Sequence, residues 1–309
     1  MRILVTGKNG QLGRSIHKII NASVGNVDSS TNANQDANKE HQPHEFIFVG
    51  RDEIDLSKKE SITTYFDSND KFDIIINCAA YTAVDKAEEE QDLADQVNHL
   101  AVKQLAQIAS KQKAKLIHIS TDYVFNGESD KPYMEADATN PINVYGKTKL
   151  AGEKALQEFM PINAIIIRTS WVYSEYGNNF VKTMLRLGKE RVKLSVVSDQ
   201  IGSPTYATDL AEAILKIINN RNYQDKEQTT EIYHYSNEGE ISWFIFAKLI
   251  LKLSRVECEV NAVSSKEWSN LANRPNYGAL CVLSIEKKYA VLIRPWKESV
   301  SKCLNLLNN

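Results

Sequence analysis

The sequence predicts an α/β fold, a doubly wound parallel sheet followed by a smaller C-terminal α/β lobe. Two patterns carry this. Short aliphatic runs recur through the first half: Ile3-Leu4-Val5, Phe46-Ile47-Phe48-Val49, Ile74-Ile75-Ile76, Leu116-Ile117-His118-Ile119 and Ala164-Ile165-Ile166-Ile167. Each has the length and near-continuous hydrophobicity of a strand buried on both faces. Between them lie segments of helical period, the clearest carrying Leu93, Val97, Leu100, Ala101, Leu105 and Ile108 on one stripe. Strand and helix in alternation give right-handed crossovers and parallel pairing.

Taken in order, the first strand opens the chain and a helix follows it. The next stretch, 21–45, is rich in Asn, Asp, Ser, Gln and Lys and holds no Leu, Ile, Met, Phe, Tyr or Trp. Such a composition buries too little apolar surface to offset the entropy of ordering it, so it reads as a mobile insertion. The second half is less regular. Helices are expected over 180–188, 209–219, 242–253 and 296–307, and short strands over 194–197, 232–235 and 260–263. The division expected is 1–168 for a nucleotide-binding domain and 169–309 for a substrate-binding lobe, with some segments returning to the first domain.

Composition narrows the partners. The 309 residues carry 37 basic and 39 acidic side chains, a net charge of −2, so no long-range field favours nucleic acid or an anionic membrane. Cys78, Cys258, Cys281 and Cys303 form no paired-ligand pattern and read as thiols of a reducing compartment. No apolar run has the length of a membrane span or a signal peptide, and a cytoplasmic protein is expected.

The chemistry begins at the first turn. Strand one runs into Thr6-Gly7-Lys8-Asn9-Gly10-Gln11-Leu12-Gly13, with glycines at three-residue spacing. One glycine permits the tight turn, a second lets the backbone approach a pyrophosphate, and a third lets the helix pack on the strand. The helix N-terminus then offers free amides and a positive dipole to the anion. Placed after a strand and before a helix, the pattern predicts a Rossmann-type dinucleotide site. The second strand ends in Gly50-Arg51-Asp52 rather than directly in an acid. Arg51 suits a 2′-phosphate, although a solvated loop arginine fits the same position. Asp55-Leu56 suit a loop beside the adenine, and the small residues of Asn77-Cys78-Ala79-Ala80-Tyr81-Thr82 leave room for a cofactor.

Further on, Tyr145 and Lys149 stand four apart in a helical region, hence on one face. An ammonium beside a phenol favours the phenolate, so the pair is expected to lower the tyrosine pKa and let it exchange a proton near neutrality. The fourth strand ends in Ser120-Thr121-Asp122-Tyr123-Val124-Phe125, where open α/β sheets bind their ligands. A hydroxyl there can hold a substrate oxygen while Tyr145 delivers a proton to it.

Ser120 to Phe125, with Asn143-Val144-Tyr145-Gly146-Lys147-Thr148-Lys149-Leu150-Ala151-Gly152-Glu153, closely resembles the dTDP-4-dehydrorhamnose reductases, which are extended short-chain dehydrogenase/reductases. Asp85-Lys86-Ala87-Glu88, Arg168-Thr169-Ser170-Trp171-Val172-Tyr173, Gly177-Asn178-Asn179-Phe180, Asp199-Gln200-Ile201-Gly202-Ser203-Pro204-Thr205 and Arg274-Pro275 extend the match. It covers the chain from the first strand to about Arg274, apart from the polar insertion. The resemblance implies hydride transfer from NADPH, with NADH as a second donor, to the C4 ketone of dTDP-4-dehydro-L-rhamnose. It implies Tyr145 as proton donor, Lys149 as the group that tunes it and holds the nicotinamide ribose, and Thr121 as a hydrogen-bond partner of the reacting oxygen. Asp122 and Trp171 line the sugar site on this reading, and Arg274 pairs with the diphosphate. Gly7, Gly10, Gln11, Leu12, Gly13, Arg51, Asp55, Leu56, Ala80, Tyr81 and Thr82 contact the cofactor, and Asn98 gives structural support. A homodimer fits the family. Some members use Mg2+ with acidic ligands from the first helix; here that helix opens Arg14-Ser15-Ile16, and no metal is expected. Two rivals stay open. A 4,6-dehydratase or epimerase typically carries an acid directly after the Thr-Asp pair, where this chain has Tyr123. A regulatory subunit of the methionine adenosyltransferase type needs no intact Thr121, Tyr145 and Lys149.

Overall fold

A computed structural model describes residues 1–25, 44–225, 227–267 and 271–308. Five strands appear where the aliphatic runs place them: β1 (Arg2–Thr6), β2 (Glu45–Val49), β3 (Ile74–Asn77), β4 (Lys115–Thr121) and β5 (Ala164–Thr169). A sixth, Glu231–His234, comes from the second half of the sequence and pairs with β5. The order is sixth strand, β5, β4, β3, β1, β2, and every pairing is parallel. Strand order reverses between β1 and β3, so a crevice opens at their carboxyl ends.

Alternation along each strand builds two cores. Ile3 and Val5 of β1, with Ile74, Ile76, Ile117 and Ile167, face α1 (Gln11–Gly25) and the helix Ala207–Ile218. Leu4, Ile75, Leu116 and Ile166 face the other way, onto α2 (Lys59–Asp67) and the helices Ala101–Gln112 and Val144–Phe159. Both faces are covered, which is why the strands read as continuous aliphatic runs. A third cluster, around Tyr173, Val181, Phe246, Ile250 and Val300, joins the helices Phe180–Glu190, Trp243–Leu253 and Trp296–Asn308. Beside it lies the parallel pair Lys193–Val197 and Glu259–Val263.

Two expectations need correcting. The stretch 21–45 is regular at both ends: α1 runs on to Gly25 and β2 begins at Glu45. A helix end needs no apolar residues to continue its backbone ladder, and Asn21 reaches back to His17 at 3.4 Å. Glu45 donates its N–H to Met1 O at 2.9 Å and pairs with Arg2 at 3.5 Å. The middle of the stretch, 26–43, lies outside the described residues. The striped helix is also not uniform, because residues Gln96–Leu100 form a π-turn between Gln91–Asp95 and Ala101–Gln112. π-turns insert one residue into the ladder and are common at functional sites. This one holds Asn98, whose amide accepts from Tyr81 N at 2.9 Å and donates to Tyr81 O at 3.0 Å and Thr148 Oγ1 at 3.3 Å.

Candidate active site

At the carboxyl ends of the strands lies a cavity of about 810 Å³, running from Gly50 and Arg51 past the glycine turn to Trp171 and Trp243. Gly7 holds a left-handed backbone, φ +72°, and a Cβ at Gly13 would lie 2.3 Å from Gly7 O. Only glycine lets α1 start so close to the turn, and a phosphate fits the amides exposed there. The cradle therefore suits a dinucleotide. Gly7, Gly10, Gln11, Leu12, Arg51, Asp55, Leu56, Ala80, Tyr81 and Thr82 all line the cavity. Gly13 packs behind the turn. Arg51 is largely exposed and lies 3.4 Å from Asp55.

The reacting end is assembled from β4 and the helix Val144–Phe159. Asn143 caps that helix by accepting from Gly146 N at 2.7 Å, and Glu88 Oε1 accepts from Val144 N at 2.9 Å. A Cβ at Gly146 would lie 2.1 Å from Tyr123 O, so a glycine lets the helix start dock against the turn after β4. That docking brings Tyr145 to Thr121, with the Tyr145 ring edge-on to Tyr123 at 5.6 Å. Thr121, Asp122, Tyr145 and Lys149 share the cavity wall.

The electrostatics depart from the sequence expectation. Burial pushes the Tyr145 phenol up to about 12; a hydrogen bond with Thr121 opposes this and the Asp122 charge adds to it. The lysine does not lower it in this arrangement. Lys149 is 1% exposed, and its amine donates to Ile119 O at 2.7 Å and faces His118 Nε2 at 3.3 Å. Burial brings Lys149 down to about 8, with Glu153 acting against that fall. Asp122 is buried and raised to about 7 by desolvation, although Thr121 donates to its carboxylate at 3.2 Å.

At the far end, Trp171 takes a left-handed backbone, φ +48°, and stacks on Trp243 with ring centroids 3.5 Å apart. Arg274 has a different partner from the one expected. Its guanidinium binds Asp85 through contacts of 2.6 and 3.2 Å, and it is not among the residues lining the cavity. The arginine therefore ties the segment before Pro275 to the stretch that carries Glu88.

Comparison with known proteins agrees with this geometry. The family described as "RmlD substrate binding domain" matches residues 1–309. A dTDP-4-dehydrorhamnose reductase of Escherichia coli (strain K12) is 39% identical over 99% of this chain and 98% of that protein. The chain belongs to the dTDP-4-dehydrorhamnose reductase family. The reductase fold of Clostridium acetobutylicum ATCC 824 superposes with a TM-score of 0.87 at 38% identity, each chain covered in full. A Bacillus anthracis str. Ames dTDP-4-dehydrorhamnose reductase, solved in complex with NADP, gives 0.85 at 36% identity over 99% of both chains.

Within this reductase-family site, sequence reading missed Trp243, which lies in a helical stretch and carries no motif of its own. It also missed the further contacts of Gln11, which lines the cavity as expected. That side chain donates to Val172 O at 3.2 Å and accepts from Ser174 Oγ and Asn179 Nδ2, both at 2.9 Å. Neither contact has a signal in local spacing, because each joins residues far apart in the chain.

Proposed function

We propose that this protein reduces the C4 ketone of dTDP-4-dehydro-L-rhamnose with NADPH, giving dTDP-L-rhamnose. The observation that carries the reading is one cavity joining the glycine turn to Tyr145, Thr121 and Lys149. Gly7, Gly10 and the start of α1 would hold the pyrophosphate, Arg51 the 2′-phosphate, and Ala80 to Thr82 the backbone side of the cofactor. The nicotinamide supplies the hydride when bound. Tyr145 then gives its phenolic proton to the ketone oxygen as that oxygen gains negative charge. Thr121, whose hydroxyl meets the phenol here, would turn its one proton to the same oxygen, which fixes the direction of transfer. The Lys149 ammonium, one helical turn on, would hold the nicotinamide ribose beside the phenol. Trp171 and Trp243 offer flat apolar faces for a ring of the nucleotide sugar.

The test is incubation with dTDP-4-dehydro-L-rhamnose and NADPH, following absorbance loss and the product by NMR. Stoichiometric NADP+ and dTDP-L-rhamnose are expected. NADPH left unoxidised beside intact keto sugar would remove the proposal. Arg51→Ala is expected to raise KM for NADPH about ten-fold and to leave that for NADH nearly unchanged, the scale of one charge-assisted phosphate contact.

A further inference from the structure

Behind the active site a row of polar side chains crosses the sheet, and no step above uses it. Thr6, Asn77 and His118 are register neighbours on β1, β3 and β4, each 2% exposed or less. Thr6 Oγ1 donates to Asn77 Oδ1 at 2.7 Å, and Asn77 Nδ2 lies 3.1 Å from His118 Nδ1. His118 Nε2 then faces Lys149 Nζ at 3.3 Å. The other end accepts from Ala79 N at 3.4 Å, at the cavity wall. The strands around this row are otherwise aliphatic, and an apolar residue at each position would spare the cost of burying amide, imidazole and hydroxyl. The sheet alone therefore does not account for the row.

Donor counting does. A buried ammonium has three hydrogens to place, and Ile119 O takes one. If His118 Nε2 takes another, the ring proton sits on Nδ1, and the Asn77 amide must turn its oxygen to His118 and its nitrogen to Thr6. If Lys149 is neutral, the set inverts: Nε2–H donates to the amine, Nδ1 accepts from Asn77, and Thr6 donates to Asn77. The orientation seen here is the second set, and turning the Asn77 amide over gives the first, so the row can follow the charge of the lysine. We propose that His118 is a positioning residue for Lys149, the inner end of a hydrogen-bonded row from Thr6 through Asn77 that fixes the amine's place and supports its charged form. The inference rests on the reading of Lys149 as the amine beside the proton donor.

The surrounding groups set the sign. Burial, with the Lys149 charge acting the same way, keeps His118 neutral, so with the Asn77 amide turned over it offers Nε2 as an acceptor and is not a repelling cation. Glu153, on the same helix, favours the ammonium and is held by Arg168 of β5. Tyr145, also on that helix, and Cys78, after β3, are pushed up by burial and stay protonated at neutral pH. Asp122, after β4, is hydrogen-bonded by Thr121 and is not among the groups that shift Lys149. Removing the His118 acceptor should therefore make the ammonium harder to keep.

The experiment follows the lysine directly. Protein labelled with 13C at lysine Cε is titrated by NMR from neutral pH to about 10, across the range where a depressed lysine loses its proton, with Lys149→Met for assignment. His118→Leu is expected to lower the Lys149 midpoint by about one pH unit, the worth of one charge-assisted hydrogen bond. The alkaline limb of kcat moves with it while KM for NADPH stays nearly constant, and His118→Gln, which restores an acceptor, brings the midpoint back. A folded His118→Leu protein with the wild-type midpoint overturns the proposal. If the leucine variant does not fold, His118→Asn decides: it keeps the Asn77 contact but is too short for Lys149, and an unmoved midpoint there also overturns the proposal. The midpoint is read without substrate, so absence of keto-sugar turnover in the wild type would sink the proposed function and leave this test standing.

Discussion

Burial pushes the Tyr145 phenol up to about 12, so at neutral pH the side chain holds its proton and yields it only to an oxygen that is itself becoming basic. A ketone receiving a hydride is such an oxygen, which makes the phenol an acid matched to one moment of the reaction. Tyr145→Phe keeps the ring against Tyr123 and removes the proton; turnover should fall about 10²–10⁴-fold with NADPH affinity, read by fluorescence titration, nearly unchanged. Thr121→Val should cost less, because the proton source remains. Beside them, Asp122 makes a prediction about stability. Its folded pKa of about 7 stands above the ordinary 3.8, so between those values the folded protein keeps a proton that the unfolded chain releases. Stability from this group is thus present below about pH 4 and lost as pH rises through about 7. Asp122→Asn cannot ionise and should raise Tm by about 2–6 °C at pH 8 while changing it little near pH 4. Equal shifts at both pH values would show that the buried charge is not the cause.

At the scale of elements, the helix Val144–Phe159 is held to the sheet by one buried ion pair. Glu153 and Arg168 are 1% and 2% exposed and meet at 2.7 Å, with Ser120 donating to the same carboxylate. Such a pair adds little over an apolar match, but breaking it strands a charge. Arg168→Met alone should cost about 3–5 kcal/mol by urea denaturation, and adding Glu153→Met should recover much of that. If the double variant were no more stable than the single one, Glu153 would not be the stranded charge. This contrast also explains what the sequence made legible. Strands flanked by helices on both faces write themselves as Ile-Ile-Ile, and the Tyr145–Lys149 spacing puts both on one helix face. The Arg168 partner, the Asp85 grip on Arg274 and the direction of the Lys149 amine depend on contacts across 15, 189 and 30 residues. No periodicity encodes them. The phenol's pKa is illegible for the same reason: spacing locates the ammonium, while the carbonyl of Ile119 decides where it points.

For the molecule as a whole, the first half contributes five strands and the glycine turn, and the second half returns a strand and a covering helix to the same sheet. A reaction between a cofactor on one part and a sugar nucleotide on the other needs the two held in register. Gln11 is placed to do this. It opens α1 at the pyrophosphate turn, yet its amide is engaged by Val172, Ser174 and Asn179, and the last of these lines the cavity. Asn179 also caps the helix Phe180–Glu190 by accepting from Lys182 N, so the link reaches into the second core. Gln11→Ala removes three neutral hydrogen bonds, although Asn179 keeps its bonds to Ser174 O at 2.8 Å and Tyr176 O at 3.2 Å. With each neutral bond worth about 1 kcal/mol and part of the loop self-supported, KM for the keto sugar should rise about ten-fold. The NADPH dissociation constant should change by about two-fold or less, since the backbone amides of the turn are untouched. Gln11→Glu keeps the acceptor for Ser174 and Asn179 but loses the donation to Val172, and should fall between alanine and wild type. The reverse pattern, weaker NADPH binding with an unchanged KM for the sugar, would return Gln11 to the role of cofactor contact that its place in the glycine turn suggests.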